Sequence, residues 1–460
     1  MSVRHTHFIG IGGIGMSGLA ELLLHQGEQV SGCDRRLSPI TNRLASLGAT
    51  IHSGHDPAHL QGVDRVVFTD AVHADNPELL QAQARGLPVL RRTELLAELM
   101  TGRQGIAVTG THGKTTVTSM IALILLEAGR DPTVLVGGEV PELGGNYRAG
   151  SGPFVVTEAC EAYGGFLDLR PRYALITNME AEHLDYYRDL QDMANQFSTF
   201  ARQVAPDGVL VVCGDRPELG PVAQAARARV VTYGLGPGLD YRAAEVSLGD
   251  PTRCQVVGPA GILGPLELAI PGEHVLANAL GALALCLEAG ANFPTAVRAL
   301  ARFRGVERRF QVLGEARGVR VVDDYAHHPT EIKATLAAAR PRCQGKLVVV
   351  FQPHLFSRTA QLMAEFAAAF DLADRVVFTD IYPAREDPLP GVSAEVLACL
   401  AAQAYAGAGK EIAYIGPKED ICPRLLPTLS RGDWVLTLGA GDVDSVAHCL
   451  LHALREQPET

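Results

Sequence analysis

Three consecutive α/β domains, each built on a mostly parallel sheet, are what this 460-residue sequence predicts. Three observations lead there. Short apolar runs of strand composition alternate with helical segments along most of the chain, the pattern of parallel sheets. Two of those runs enter glycine turns, at Gly10 and Gly110, that open helices. Two others, nearer the C-terminus, run into dense polar loops at residues 323–331 and 352–358.

The first domain is expected over residues 1–101 as a Rossmann-like fold. Residues 7–9 form a strand that enters Gly10-Ile-Gly-Gly-Ile-Gly15, and residues 16–26 read as the following helix. Residues 29–34 make a second strand ending in Asp34, and residues 65–69 a third. Gly10, Gly12 and Gly15 fit G-x-G-x-x-G, and Asp34 lies near the spacing of a ribose-binding acid. A dinucleotide is one reading of this turn, but the same turn can hold any diphosphate, or none.

The second domain is expected over residues 102–304, with a P-loop ATPase-like, mostly parallel sheet. The strand at residues 105–109 leads into Gly110-Thr-His-Gly-Lys-Thr-Thr116, followed by an apolar helix over residues 117–128. Strand, glycine turn, Lys-Thr and helix are the context a phosphate loop needs. Amides at the turn and the helix dipole attract an anion, Lys114 adds a point charge, and the Thr115 hydroxyl suits Mg²⁺. The loop is shorter than the eight-residue form, which would require glycine where Val108 stands. Lys114 is one of five lysines and the only one before Lys333. Later strands are read at residues 154–157, 173–177 and 208–212, a β-rich addition at about 230–270, and a helix opened by residues 271–274 and running to about 289. Glu158 ends a strand, where a carboxylate commonly faces a hard cation, with a solvated acid as the other reading. His183, in Asn178-Met-Glu-Ala-Glu-His183, is a second candidate ligand, with a plain surface histidine as the other reading.

The third domain, residues 305–460, is again Rossmann-like, with strands at 319–323, 346–351, 375–379 and 433–437 and helices at 330–339 and 359–370. Arg308-Arg309 precedes its first strand and could clamp a phosphate or be a solvated pair.

Bulk properties narrow the class. Apolar residues are 47% and charged residues 20%, the balance of a globular protein. A net charge of −11 argues against a general nucleic-acid binder. Nine scattered cysteines without C-x-x-C spacing read as reduced core residues of a cytoplasmic protein, not as a disulfide frame or zinc site. The N-terminus lacks a signal-peptide pattern, and no uncharged apolar run reaches about 18 residues.

Together these motifs resemble the Mur ligases over essentially the whole chain. The order is a glycine turn, Gly-Thr-His-Gly-Lys-Thr-Thr, Thr-Asn-x-x-x-x-His-Leu-Asp, His-x-x-x-Asn, Arg-Arg-Phe and Asp-Asp-Tyr-Ala-His-His-Pro-Thr-Glu. The runs at residues 11–18 and 325–331 are similar to the branch of the family that joins L-alanine to UDP-N-acetylmuramate. The resemblance implies an ATP-dependent, amide-bond-forming ligase acting early in peptidoglycan synthesis in the cytoplasm. A muramyl-tripeptide recycling ligase of the same family is the alternative. A nicotinamide-dependent dehydrogenase would leave the second phosphate loop unused, and a non-enzymatic ATP-gated module would leave the two polar loops of the third domain unused.

The resemblance also distributes roles. Gly12, Gly13, Ile14, Gly15, Met16 and Ser17 would hold the UDP. Gly110, Thr111, His112, Gly113, Lys114, Thr115 and Thr116 would bind ATP. Thr115 and Glu158 would hold one Mg²⁺ and His183 a second. His274 and Asn278 would sit by the adenine, Asp324 by the ribose and Arg309 by the phosphates. His327, His354 and Arg358 would line the place of the muramyl carboxylate and L-alanine. Lys114, Glu158, His183, Arg309 and His327 would be catalytic, with His183 or His327 taking the amine proton. Closure of the third domain would complete the site, in a monomer or homodimer. Departures from the family pattern are Val275 after the histidine of His-x-x-x-Asn, Leu355 after Gln-Pro-His, and no lysine between Lys114 and Lys333 to act as a carbamylated metal bridge.

Overall fold

The computed structural model describes residues 3–69, 72–182, 186–384 and 386–456. Its strands form three sheets, and both outer sheets are preceded or followed by helices in the alternating manner the sequence predicts.

The first sheet contains β1 (His5–Ile9), β2 (Gln29–Asp34), β3 (Thr50–Ser53), β4 (Arg65–Phe68) and β5 (Val89–Arg91), in the order β3-β2-β1-β4-β5. All its pairings are parallel. The chain reverses direction of progress between β1 and β4, so the glycine turn after β1 lies at the switch point where such sheets bind ligands. The helix after the turn spans Ile14–His25 and starts two residues earlier than expected.

The second sheet has ten strands: β6 (Gln104–Thr109), β7 (Thr133–Val140), β8 (Gly145–Arg148), β9 (Phe154–Glu158), β10 (Tyr173–Ile176), β11 (Val209–Cys213), β12 (Arg229–Gly234), β13 (Tyr241–Ser247), β14 (Thr252–Gly258) and β15 (Gly261–Leu268). Their order is β15-β14-β13-β12-β11-β10-β6-β9-β7-β8. From β13 to β9 and on to β7 the pairing is parallel; β14 and β15 join antiparallel, which is the expected β-rich addition, and β8 closes the other edge as a hairpin with β7. β6 is central, and Ile106, Ala107 and Val108 are fully buried, as a strand covered on both faces must be.

These two sheets belong to one compact unit, comprising the chain up to Ser247 together with Thr252–Ala269 and Leu276–Arg304. They are joined through the β7–β8 hairpin. Asn146 Nδ2 donates to the Ile14 carbonyl at 2.7 Å, and Tyr147 meets His25 at 2.9 Å. Arg91 and Thr93 both bond the Asp168 carboxylate, at 2.7 and 2.5 Å.

The second unit comprises Leu248–Pro251, Ile270–Val275 and the chain from Gly305 onward. Its sheet holds β16 (Gln311–Ala316), β17 (Val319–Asp324), β18 (Leu347–Phe351), β19 (Arg375–Phe378), β20 (Glu411–Tyr414) and β21 (Trp434–Leu438), in the order β16-β17-β21-β18-β19-β20. Only β16 runs antiparallel to its neighbour. The helix expected over residues 359–370 is instead two short helices, Phe356–Gln361 and Met363–Ala367, with Leu362 off the helical well at φ −111° and ψ 22°. Packing outweighs propensity here. The break lets Phe366 and Phe370 reach Phe351, with ring centroids 5.4 and 5.5 Å apart, and lets Phe370 reach Phe378 at 5.4 Å.

Candidate active site

The phosphate loop is built by three adjacent strand ends. β10, β6 and β9 lie side by side, and the segments leaving their carboxyl ends converge. The loop leaves β6 with Gly110 at φ +129° and reaches the helix Lys114–Glu127 through Gly113 at φ +83°. Both are conformations that side chains resist. Space excludes a side chain as well: a Cβ on Gly110 would lie 2.1 Å from Thr177 Oγ1, and one on Gly113 would lie 2.7 Å from Asn278 Oδ1. No side chain caps the helix, so its first amides remain available to an anion.

The segment after β10 fastens the loop from one side. Thr177 Oγ1 donates to the His112 carbonyl at 2.6 Å, and Asn178 grips the same residue twice, accepting from its amide at 2.8 Å and donating to its carbonyl at 3.1 Å. The Glu180 amide donates to Thr111 Oγ1 at 2.9 Å, and the Glu180 carboxylate meets His112 Nε2 at 3.3 Å. The loop is thereby pre-formed.

Lys114 is tied down within this cradle. Its ammonium donates to the carbonyls of Gly110 (2.6 Å) and Thr111 (3.0 Å) and to Glu161 Oε1 (3.0 Å), and Glu161 Oε2 lies at 2.9 Å. Those contacts use all three ammonium donors. The Glu161 side chain is fully buried. Burial alone would push the ammonium down; Glu161, with Cys160 and Glu182, outweighs it and holds Lys114 above its ordinary value. Glu158 ends β9 and accepts from the Gly137 amide at 2.5 Å. Thr115 is buried on the first turn of the helix and Thr116 half-buried beside it. A hydroxyl and a carboxylate at strand and helix ends are the hard oxygen donors that magnesium takes. His183 lies outside the described residues.

The first glycine turn follows β1. Asp34 accepts from the Gly12 amide at 3.0 Å and from Arg36 N at 3.3 Å, so this acid buttresses the turn instead of standing clear for a ribose. Gly13 caps the helix with no side-chain bond, and Ile14 is exposed. Met16 and Ser17 are buried, with Ser17 Oγ donating back to the Ile14 carbonyl at 3.0 Å, so what they can offer a ligand is backbone. The Arg92 guanidinium stands beside Gly15, where a Cβ would lie 3.3 Å from Nη1, and adds a cation that the motifs did not single out.

In the second unit the two arginines part. Arg308 is structural: it bonds Asp323 at 3.0 Å and the carbonyls of Gly441 and Gly439 at 2.7 and 2.8 Å. Arg309 stacks over Tyr325 at 4.9 Å and stands 3.8 Å from Glu331. Asp324, nearly buried at the end of β17, accepts from the amides of Phe310 (2.7 Å) and Ala326 (2.8 Å). Burial, opposed by Arg309, raises its carboxyl to about 6. His327, His354 and Arg358 come together as expected: the two rings are 6.1 Å apart, and Arg358 Nη1 is 3.2 Å from His354 Nδ1. His354 also stacks on Tyr382, 5.6 Å away and nearly parallel at 12°. Leu355 supports this corner at φ 69° and ψ 135°, a region where glycine is the ordinary occupant. His274 stands exposed at the start of the helix Glu273–Glu288 and groups with this unit, whereas Asn278, one turn on, lies against Gly113 of the first.

Fold and site thus define an α/β enzyme of three parallel-rich domains whose second domain carries a pre-formed phosphate loop. Three family models cover most of the chain: Mur ligase family, catalytic domain, over residues 5–104; Mur ligase middle domain, over 108–286; and Mur ligase, glutamate ligase domain, over 308–441. The UDP-N-acetylmuramate–L-alanine ligase of Syntrophus aciditrophicus is 46% identical over 455 residues, covering 99% of this chain and 94% of that one. The protein of the same name from Geotalea daltonii is 45% identical over 457 residues, with 99% of each covered. Among solved structures, a UDP-N-acetylmuramate-alanine ligase from Thermotoga maritima superposes with a TM-score of 0.81 at 30% identity over 98% of both chains. A murein peptide ligase from Psychrobacter arcticus gives 0.72 at 25% identity, over 99% of this chain and 100% of that one. The chain belongs to the Mur ligase family, and it is a ligase. The family, the enzyme class and the three-domain α/β fold expected from the motifs are borne out.

Proposed function

We propose that this ligase joins L-alanine to the carboxylate of UDP-N-acetylmuramate at the expense of ATP. The observation that carries the reading is the pre-formed loop from Gly110 to Thr116, together with a second glycine turn in the same compact unit. One turn suits a transferable phosphate and the other a diphosphate-linked sugar. Full-length likeness to ligases named for these substrates supports the same choice.

A free carboxylate needs activation before it can form an amide. The muramyl carboxylate oxygen attacks the γ-phosphorus of ATP, the bond to the β–γ bridging oxygen breaks, and ADP leaves. The deprotonated amine of L-alanine then attacks the acyl carbon, and inorganic phosphate departs with the electron pair of the C–O bond. Lys114 and the helix amides hold the phosphates, and Arg309 spreads charge from the transferring group. Thr115, Glu158 and His183 would hold Mg²⁺, which when bound neutralises phosphate charge. Asn278 and His274 are assigned to the adenine and Asp324 to the ribose. His327, His354 and Arg358 are assigned to the carboxylate and amino acid, with His327 or His183 accepting the amine proton. Nine free cysteines, and no described helix long and apolar enough to cross a membrane, support a cytoplasmic setting.

Phosphate release tests the reading directly. With ATP, Mg²⁺ and UDP-N-acetylmuramate, L-alanine should trigger release, and glycine or L-serine should be slower. Release that instead depends on a muramyl-linking tripeptide would replace this reading with the recycling reaction.

A further inference from the structure

The five-stranded sheet buries a second cluster of reactive side chains away from the phosphate loop. His7 on β1, Cys33 on β2 and Glu78 on the first turn of the helix Pro77–Ala84 are buried, and their donor atoms all lie within 4.8 Å of one another. Cys33 Sγ is 2.7 Å from Glu78 Oε2 and 3.1 Å from His55 Nδ1. Glu78 Oε2 is 3.5 Å from His55 Nδ1 and 3.7 Å from His7 Nε2.

Proton counting makes His7 informative. His5 Nδ1 lies 3.1 Å from the Gly62 carbonyl, which can only accept, so a neutral His5 carries its proton there. Its Nε2, 2.8 Å from Ser31 Oγ, must then accept the single hydroxyl proton. Ser31 Oγ in turn accepts from His7 Nδ1 at 2.8 Å. This is the one arrangement of neutral rings that satisfies every contact. It leaves His7 Nε2 as a bare lone pair, fully buried, without a hydrogen-bond partner and facing a carboxylate. A buried lone pair opposite a carboxylate is repulsive, and either a proton on His7 or a metal ion between the two relieves it; the thiol of Cys33 in the same cluster is what favours the metal.

We propose that this cluster binds one zinc-class divalent transition-metal ion through His7 Nε2, Cys33 Sγ and Glu78 Oε2, with His55 Nδ1, at the rim beside Cys33 and Glu78, closing the shell once the ion is in place. Thiolate, imidazole and carboxylate are the donors such ions select, whereas magnesium prefers oxygen alone. Ligand bonds of about 2.0–2.3 Å in a tetrahedron place donors roughly 3.3–3.6 Å apart. The contacts of 3.1, 3.5 and 3.7 Å bracket that range. The 2.7 Å contact of Cys33 to Glu78 is shorter because the thiol proton sits in it. Metal entry releases that proton to solvent, and two anions with two neutral imidazoles leave a dication neutralised, as a buried site requires. Supporting bonds are already in place. Ser31 fixes the His7 tautomer, His59 Nδ1 holds the other Glu78 oxygen at 2.6 Å, and the Asp56 amide donates to it at 3.2 Å. His55 and His59 are partly exposed and mark the way in.

The ion would stiffen the glycine turn. The Cys33 carbonyl accepts from the amides of Gly10 and Ile11 at 2.9 and 3.0 Å, so metal bound at its side chain anchors the strand end that shapes the turn. Only this consequence rests on the proposed ligase reaction; metal binding does not.

Cobalt(II) tests the site. The full chain, stripped of metal and held in excess Mg²⁺, is titrated with Co²⁺. One equivalent should give the thiolate-to-cobalt charge-transfer band and tetrahedral visible bands, and Zn²⁺ should displace both. Cys33→Ser should lose the charge-transfer band, and Ser31→Ala should weaken binding about 10- to 100-fold. Zinc should raise the melting temperature of the wild type and not that of Cys33→Ser. Absence of the band in the wild type, or its persistence in Cys33→Ser, overturns the proposal. Should Cys33→Ser fail to fold by circular dichroism, His55→Gln at the cluster's rim decides: unchanged cobalt affinity and spectrum overturn it. Phosphate release, assayed separately, reports on the ligase reaction alone.

Discussion

Replacing Lys114 should damage stability and catalysis by separable routes. Lys114→Met keeps most of the stem and removes the charge. It leaves the Glu161 carboxylate, whose side chain is fully buried, without the cation 2.9–3.0 Å away, and the carbonyls of Gly110 and Thr111 without a shared donor. Removing one partner of a buried pair costs about 3–5 kcal/mol. At roughly 2–4 °C per kcal/mol for a unit of this order of size, melting of the unit that holds the loop should fall by about 6–20 °C. Neutralising both partners, in Lys114→Met with Glu161→Gln, should recover much of that loss, because a neutral buried pair has no uncompensated charge. Phosphate release should not recover: losing a charge-stabilising group of this kind costs on the order of 10²–10³-fold in turnover. Calorimetry on the two single variants and the double, with phosphate release on the same samples, gives the full cycle. If the double variant is destabilised by the sum of the singles, Lys114 and Glu161 are not coupled as argued. If Lys114→Met turns over like the wild type, the loop is not the ATP site.

Further outcomes follow from neighbouring features. Gly113→Ala should forfeit nucleotide binding by equilibrium titration, since alanine at φ +83° costs about 1–2 kcal/mol and its Cβ would lie 2.7 Å from Asn278 Oδ1. Asn178→Ala removes both side-chain bonds to His112 and should raise the KM for ATP, with about 1–3 kcal/mol lost in binding, while the melting profile of the second unit stays unchanged. Asp324 has a folded value near 6 against an unfolded value near 3.9, so the folded state binds more protons between those values. Its contribution is present below about pH 3.9 and lost as pH rises through about 6, amounting to roughly 3 kcal/mol. Asp324→Asn should therefore gain stability relative to the wild type from pH 4 to 6 and hold a constant difference above, read by denaturant melts at matched pH.

What the chain's letters disclosed, and what they hid, follows from distance along it. The loop from Gly110 to Thr116 was legible because strand, turn, lysine and helix are contiguous. Glu158 was legible because it ends an apolar run. Glu161, which holds Lys114 from 47 positions away, and Asn178, which holds His112 from 66 away, carry no local pattern. Asn178 and Glu180 belong to the segment at residues 178–183, whose composition alone does not show what they hold; that emerges only when β10 and β6 lie side by side. The division of labour between Arg308 and Arg309 depends on carbonyls more than a hundred residues downstream. The break at Leu362 depends on phenylalanines of neighbouring strands, against good local helix composition. The buried histidine–cysteine–glutamate cluster draws on three separate segments, so cysteine spacing could not disclose it.

The contact between Lys114 and Glu161 has a further consequence for the cycle of turnover. A loop with a naked ammonium would cling to whichever polyphosphate reached it, product as readily as substrate. Here a tethered carboxylate competes for the same charge, at an effective concentration set by the fold, so on the proposed reading each phosphate that leaves would be replaced by an internal anion. If the loop is the ATP site as proposed, Glu161 is a built-in eluent: it weakens the grip on bound nucleotide and trades affinity for the ability to empty the loop between rounds.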